Sequence, residues 1–255
     1  MILILSSAKT FKPTFKDEFK DIVSEPIYNK EVQKLLNILK QYSKEELEKV
    51  LKASSKIAEV NYERYHKFNS DHDKCISLLS FYGEVFKNID SLDFSKEELI
   101  YSQKIIRILS GLYGIIRPLD VIKEYRLEMA TKLNDSDIED LYLFWKDKIT
   151  NRIMNEIEES PGDKLLINLA SLEYSSVLNV DKIKNKYKIV DIIFYEKKDN
   201  KFKVIGSYAK KARGKITRYI VKNGISTIED IKKFHEDGYT YNLELSNSDK
   251  IVFTR

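Results

Sequence analysis

The sequence predicts an α/β domain, a mixed sheet covered by helices, and three observations carry that prediction. Short β-branched and leucine runs occur at 2–5, 165–169, 189–195 and 251–253, as strands buried on both faces do. Most of the chain between them places apolar residues at helical spacing. Glycine (8) and proline (4) are too scarce for an all-β fold built on tight turns, or for long flexible linkers. A single domain over 1–255 follows.

In order, the strand at 2–5 stops at Ser6 and Ser7. Residues 30–67 read as helical. Val32, Leu35, Leu36 and Leu39 lie on one face, and Leu47, Val50 and Leu51 repeat the pattern after a capping box of Ser43 and Glu46. Helices are predicted at 74–88 and 96–109, the latter opened by a second box, Ser95 with Glu98. A helix at 138–158 ends at the turn Pro161-Gly162-Asp163, before the strand at 165–169. Strands at 189–195 and 202–207 join across Asp199-Asn200 as a hairpin. A basic helix at 210–222, a short helix capped by Ser226 and Glu229, and a final strand at 251–253 complete the chain. The N-terminal strand is expected beside the C-terminal ones.

Hydrophobic residues at 42% and charged residues at 33% exclude a disordered or fibrous chain. Cys75 is the only cysteine, which excludes an intrachain disulfide and any multi-cysteine metal site. The opening MILILSSAKT has too short an apolar run for a signal peptide, and nothing approaches the roughly 20 apolar residues of a membrane span. A cytoplasmic protein, monomeric and without a membrane partner, is the expectation.

The net charge of +4 conceals a strong local excess. Between 197 and 222 there are ten basic residues and one acidic residue, Asp199. On a helix, Lys211, Lys215, Arg218 and Lys222 fall within about 60° of one another, beside an apolar stripe of Ala212, Ile216, Tyr219 and Ile220. Such a ridge suits a phosphate backbone, bound with strong salt dependence and little base preference, or is simply a solvated face. A second feature is the segment ILSGLYGIIRP at 108–118. Read as a helix running into a glycine-bracketed turn, with Pro118 opening the next helix, it resembles a helix-hairpin-helix. In that motif turn N–H groups hold a phosphate. Two residues, Leu112 and Tyr113, separate Gly111 from Gly114 where the usual hairpin has one, and an ordinary core corner is the alternative.

Ser6-Ser7-Ala8-Lys9-Thr10 follows the first strand, and Asn168, Ser171, Glu173 and Tyr174 follow the strand at 165–169. Polar loops at strand C-termini are where open α/β sheets place ligands, although structural turns explain them equally. His66, Asp71, His72, Asp73 and Cys75 are metal-ligand types, but their spacing fits neither a tetrahedral site nor a facial triad. No metal and no cofactor is expected, and with three histidines in all no Ser-His-Asp arrangement is recognisable.

Taken together, SSAKT, LSGLYGIIRPLD, YRLEM, LYLFW, INLAS with EY, YAKKARG and EDGY are similar, in order and spacing, to the signatures of the YaaA family of bacterial peroxide stress proteins. The family begins SPAKT, and Ser7 stands where its proline is usual. The resemblance implies a single α/β domain that binds double-stranded or branched DNA through a basic cleft and a helix-hairpin-helix-like element, limiting damage when peroxide meets free iron. It implies contacts from Gly111, Leu112, Tyr113, Gly114 and Arg117, and from Lys210, Lys211 and Arg213. Lys9, Arg126, Lys215 and Arg218 are further candidates. The alternative is an enzyme acting on DNA or a nucleotide, glycosylase- or lyase-like, with Lys9, Asp120, Glu128, Glu173 and Tyr174 as acid, base or nucleophile.

Overall fold

A computed structural model describes residues 1–70, 72–138, 140–199 and 201–255. In chain order its elements begin with β1 (Ile2–Ser6), α1 (Asn29–Leu39), α2 (Lys44–Val50), α3 (Ser55–His66), β2 (Cys75–Ile76), α4 (Ser77–Ser80) and α5 (Glu84–Ile89). They continue with α6 (Lys96–Ile105), β3 (Ile106–Ser110), β4 (Gly114–Ile116), β5 (Val121–Ile122), α7 (Leu141–Glu159), β6 (Leu165–Asn168), α8 (Leu172–Ser175) and α9 (Val180–Lys184). The last are β7 (Lys188–Lys198), β8 (Lys201–Lys203), α10 (Gly206–Lys222), α11 (Ile228–Ile231), β9 (Thr240–Tyr241) and β10 (Lys250–Thr254).

The main sheet has the order β4-β3-β1-β6-β7-β10-β9, with β8 paired to β7. Its centre is parallel: β1 pairs with β3 and β6, β6 with β7, and β7 with β10. Antiparallel β4, β8 and β9 trim it. Ile2, Leu3, Ile4 and Leu5 are all fully buried, so β1 is covered on both faces. Helices α6 and α7 both pack on β1, α10 packs on α5 and α6, and α7 packs on α9. The α/β class with a mixed, helix-covered sheet is as the sequence predicts. Because the central strands are parallel, their C-terminal ends all emerge at one edge.

The capping boxes at Ser43/Glu46 and Ser95/Glu98 both form. Several boundaries differ from expectation, each for a tertiary reason. The helical stretch 30–67 is three helices. The helix expected at 74–88 is divided, because Cys75 and Ile76 pair with Ile122 and Val121 and the Tyr82 N–H donates to the Thr10 carbonyl. The helix expected at 96–109 stops at Ile105, and the next residues form β3 beside β1. A short apolar run does not distinguish helix from buried strand by periodicity, and here the place beside β1 decides. The second strand of the expected hairpin is Lys201–Lys203, and the chain is already helical from Gly206. Asp199 has a positive φ of 51°, as a two-residue hairpin turn requires, while its companion Asn200 lies outside the described residues. Thr227, not Ser226, caps α11 by accepting from the Asp230 N–H. As expected, the N-terminal strand lies beside the strands of the second half: it pairs with β6, and β7 and β10 follow across the sheet. Among the described residues no helix is long and apolar enough to cross a membrane.

Candidate nucleic-acid interface at the sheet edge

Four of the five acid-base candidates meet where β1, β3 and β6 end. Lys9 Nζ lies 2.6 Å from Glu128 Oε2, and Arg126 Nη2 lies 3.0 Å from Glu128 Oε1, so one carboxylate bridges two cations. Ser7 Oγ donates to Tyr174 Oη at 3.2 Å, and Ser6 Oγ accepts from the Ser171 N–H at 2.9 Å, tying the β1 loop to the β6 loop. The Ala130 N–H donates to Glu173 at 3.3 Å. Burial raises the Tyr125 phenol to about 12 and the Tyr174 phenol well above the ordinary tyrosine range, so both stay protonated donors at neutral pH. The strand order reverses about β1, with β3 on one side and β6 on the other, which is where open parallel sheets accept ligands. Asp120 belongs elsewhere. It is fully buried, accepting from the Arg117 N–H (2.8 Å), Arg117 Nη2 (2.9 Å) and Ser24 Oγ (2.6 Å). That pair staples a loop, and it occupies the Arg117 guanidinium.

The helix-hairpin-helix is overturned. Gly111–Gly114 is the turn of a β-hairpin, with Ser110 opposite Gly114 and Ile108 opposite Ile116, and no helix enters it or begins at Pro118. Its residues are not offered to a phosphate. Leu112 and Tyr113 are 0% and 3% exposed, and the Tyr113 N–H is already bound by Ser110 Oγ at 3.0 Å. The glycines serve close packing instead. A Cβ on Gly111 would lie 2.4 Å from the Leu127 carbonyl oxygen, in the backbone that carries Glu128. One on Gly114 would lie 2.6 Å from the Trp145 indole, whose Nε1–H donates to the Gly111 carbonyl at 2.9 Å.

The basic stretch divides into two parts. The helical ridge is neutralised from within: Lys211 and Lys215 pair with Asp237 at 3.0 and 2.6 Å, and Lys222 pairs with Glu98 at 3.0 Å. Arg218 pairs with Asp93 and donates to the Asp90 carbonyl at 2.9 Å. The sequence offers no offsetting acid at helical spacing, and the acids come from other elements. Arg213 is half-buried and its desolvated guanidinium has a lowered pKa, partly offset by Asp191. By contrast Lys197, Lys198, Lys201, Lys203 and Lys210 are all exposed, and the first four form a two-stranded ribbon that also exposes Phe202. The ribbon prolongs β7 past its pairing with β6, at the same sheet edge as Lys9.

Two further grooves flank the Lys9–Glu128–Arg126 cluster. One, of about 430 Å³, is walled by Lys49, Lys52 and Lys132 with Glu128 and Glu173. The other, of about 280 Å³, is walled by Lys9, Lys56, Arg64 and Arg126. Arg64 is paired with Glu124 at 2.6 Å, while Lys49, Lys52, Lys56 and Lys132 are exposed. Lys49, Lys52 and Lys56 stand close together in the acid-free stretch 49–56, a local signal weaker than that at 197–222, while Lys132 reaches the same groove as Lys49 and Lys52 only through folding. Among the metal-ligand types, His66 stacks on Tyr62 at 4.2 Å between ring centroids, and Asp71 lies outside the described residues. Burial lifts the Cys75 thiol to about 11, so it is protonated at neutral pH.

A family model described as peroxide stress protein YaaA matches residues 1–245. The chain is 41% identical over 256 residues to a UPF0246 protein of Crocosphaera subtropica, covering the whole of both chains. It is 42% identical over 262 residues to one of Francisella philomiragia, again over the whole of both. To one of Clostridium botulinum it is 41% identical over 256 residues, covering all of this chain and 99% of that one.

Proposed function

The chain belongs to the peroxide stress protein YaaA family, and on that premise we propose that it protects DNA by holding the phosphate backbone against the C-terminal edge of its sheet. The observation that carries this reading is the ribbon of Lys197, Lys198, Lys201 and Lys203, exposed and projecting at the edge that also bears Lys9. Exposed cations of this kind neutralise phosphates and release counterions without reading bases. Lys210 and the groove lysines 49, 52, 56 and 132 extend the same surface. Double-stranded or branched DNA is the partner, and covering its backbone limits damage where peroxide meets free iron.

Replacing all four ribbon lysines with serine is expected to weaken duplex affinity by about ten- to a hundredfold at moderate salt and to lower the salt slope by roughly 3–4. Lys211→Gln, already paired with Asp237, is expected to leave affinity unchanged. Fluorescence anisotropy at several salt concentrations reads both. Wild-type binding by the quadruple variant would overturn the assignment.

A second reading, an enzyme acting on DNA or a nucleotide, is favoured by the convergence of Lys9, Glu128, Glu173 and Tyr174 beside the basic surface. In this reading the Lys9 amine condenses with the aldehyde of a damaged sugar, releasing water, and the imine is then reducible. Borohydride treatment of the protein on duplex with an abasic site is expected to trap an adduct that Lys9→Ala abolishes. No adduct, or an undiminished one in the variant, removes the reading.

A further inference from the structure

The ribbon that carries Lys197, Lys198, Lys201 and Lys203 has two unlike faces. Residues directly opposite in an antiparallel pair share a face, and successive residues of a strand alternate between faces. The register therefore puts Glu196, Lys198, Lys201 and Lys203 on one side, and Tyr195, Lys197 and Phe202 on the other. The Tyr195 and Phe202 rings stand 6.3 Å apart between centroids, as that placement requires. On the first side Glu196 is already engaged. It accepts from Arg255 Nε at 2.9 Å, and the Arg255 guanidinium lies over the Tyr208 and Tyr239 rings at 4.9 and 4.6 Å. On the second side the exposed ammonium of Lys197 borders an aromatic surface.

Phe202 is 40% exposed, and Val204, two residues further on, is 54% exposed. β8 is an edge strand paired to β7, and its lysines suffice to guard that edge against a further strand. They do not account for a phenylalanine held in water between them. The body of the sheet does not cover it either. β10 ends its pairing with β7 at Thr254 opposite Tyr195, so the pairs Lys197–Phe202 and Lys198–Lys201 project past it. Neighbouring rings flanked by cations are the means by which proteins hold an unpaired strand: the cations follow the phosphates, and the aromatic faces stack bases of any sequence. A paired duplex cannot use the rings in this way, because its bases are stacked on one another and offer only their edges in the grooves. We propose that the Tyr195–Phe202 face of the ribbon binds single-stranded DNA by stacking its bases, while the surrounding lysines hold the phosphates. The proposal rests on the nucleic-acid reading and adds to it a site for unpaired strand, as exposed at a branch or a gap.

The test compares an oligothymidylate, a strand of equal length made of abasic sites, and a paired duplex, each titrated against the full chain by fluorescence anisotropy at several salt concentrations. The two single strands carry the same phosphates and differ only in their bases. The wild type is expected to bind the oligothymidylate about 5- to 100-fold more tightly than the abasic strand, the range for one stacked base. Phe202→Ala is expected to erase that difference and to keep the salt slope, which counts phosphates. Phe202→Trp is expected to retain the difference, which separates stacking from a general disturbance of the ribbon. Equal binding of the two single strands by the wild type, or a preference for bases that survives in Phe202→Ala, overturns the proposal. Binding of duplex with no binding of either single strand also overturns it and leaves the duplex reading standing. Base-dependent binding of the single strand without binding of duplex removes the duplex reading alone, and binding of neither removes both.

Discussion

Replacing Gly114 with alanine is expected to destabilise the protein by about 2–5 kcal/mol, summed from a left-handed backbone penalty of about 1–2 and an overpacking penalty of about 1–3. Both contributions are local to the β3–β4 turn. Gly114 has φ +70°, where an L side chain is strained, and its Cβ would meet the Trp145 ring at 2.6 Å. Trp145 has no room to retreat: it is fully buried, packed edge-on against Phe144 at 4.7 Å and against Tyr28 at 5.5 Å, and held by its bond to the Gly111 carbonyl. Urea unfolding of wild type and variant gives the difference directly, and a loss below about 1 kcal/mol would contradict this account of the turn. A phosphate-binding hairpin makes a different prediction. There the alanine would spare stability and reduce DNA affinity.

Arg107→Met is expected to cost about 3–5 kcal/mol, because it leaves a buried carboxylate without its principal partner. Arg107 is the one charged side chain of β3, 6% exposed, and its Nε is bound to Glu156 of α7, itself 3% exposed. Its Nη1 also donates to the Gln103 and Ile106 carbonyls, at 2.9 and 2.6 Å. Desolvation lowers the Arg107 pKa, and the neighbouring Glu156 carboxylate opposes that shift. Arg152 reaches the same carboxylate at 2.7 Å, but it is 35% exposed and can turn to solvent. The double change Arg107→Met with Glu156→Leu is expected to recover most of the loss, since an apolar pair of similar size removes both desolvation costs. Denaturant unfolding of the three variants measures this. A double variant no more stable than Arg107→Met alone would show that shape, not charge, is what the pair supplies.

These two sites also mark where sequence reading succeeds and fails. The run at 106–109 is apolar except for Arg107 and lies directly after a genuine helix. Period alone extends that helix, and only the vacancy beside β1 turns the run into a strand. Once it is a strand, the glycine turn that follows becomes a β-hairpin pressed against Trp145 and the Leu127 carbonyl. The same residues that look like a phosphate grip are then consumed by packing. Asn61 is the opposite case. A lone amide between Ala58 and Tyr65 on a helical face is visible in the sequence, but only the fold shows that its oxygen is buried without a partner among the described residues.

The α/β class, the buried strands at 2–5 and 165–169, the two capping boxes, the family and the excess of charge between 197 and 222 can all be read from residue order. All of these are written in periods and motifs a few residues long. Which of those charges are paired is set by the fold. Lys211, Lys215, Arg218 and Lys222 meet acids brought from Asp237, Asp93 and Glu98, while the ribbon lysines 197, 198, 201 and 203 stand exposed, with no ion pair among the described residues. Hydrophobic periodicity acts between neighbours along the chain, but ion pairing and desolvation act through space, and folding brings together residues as distant in sequence as Lys9, Lys56 and Glu128.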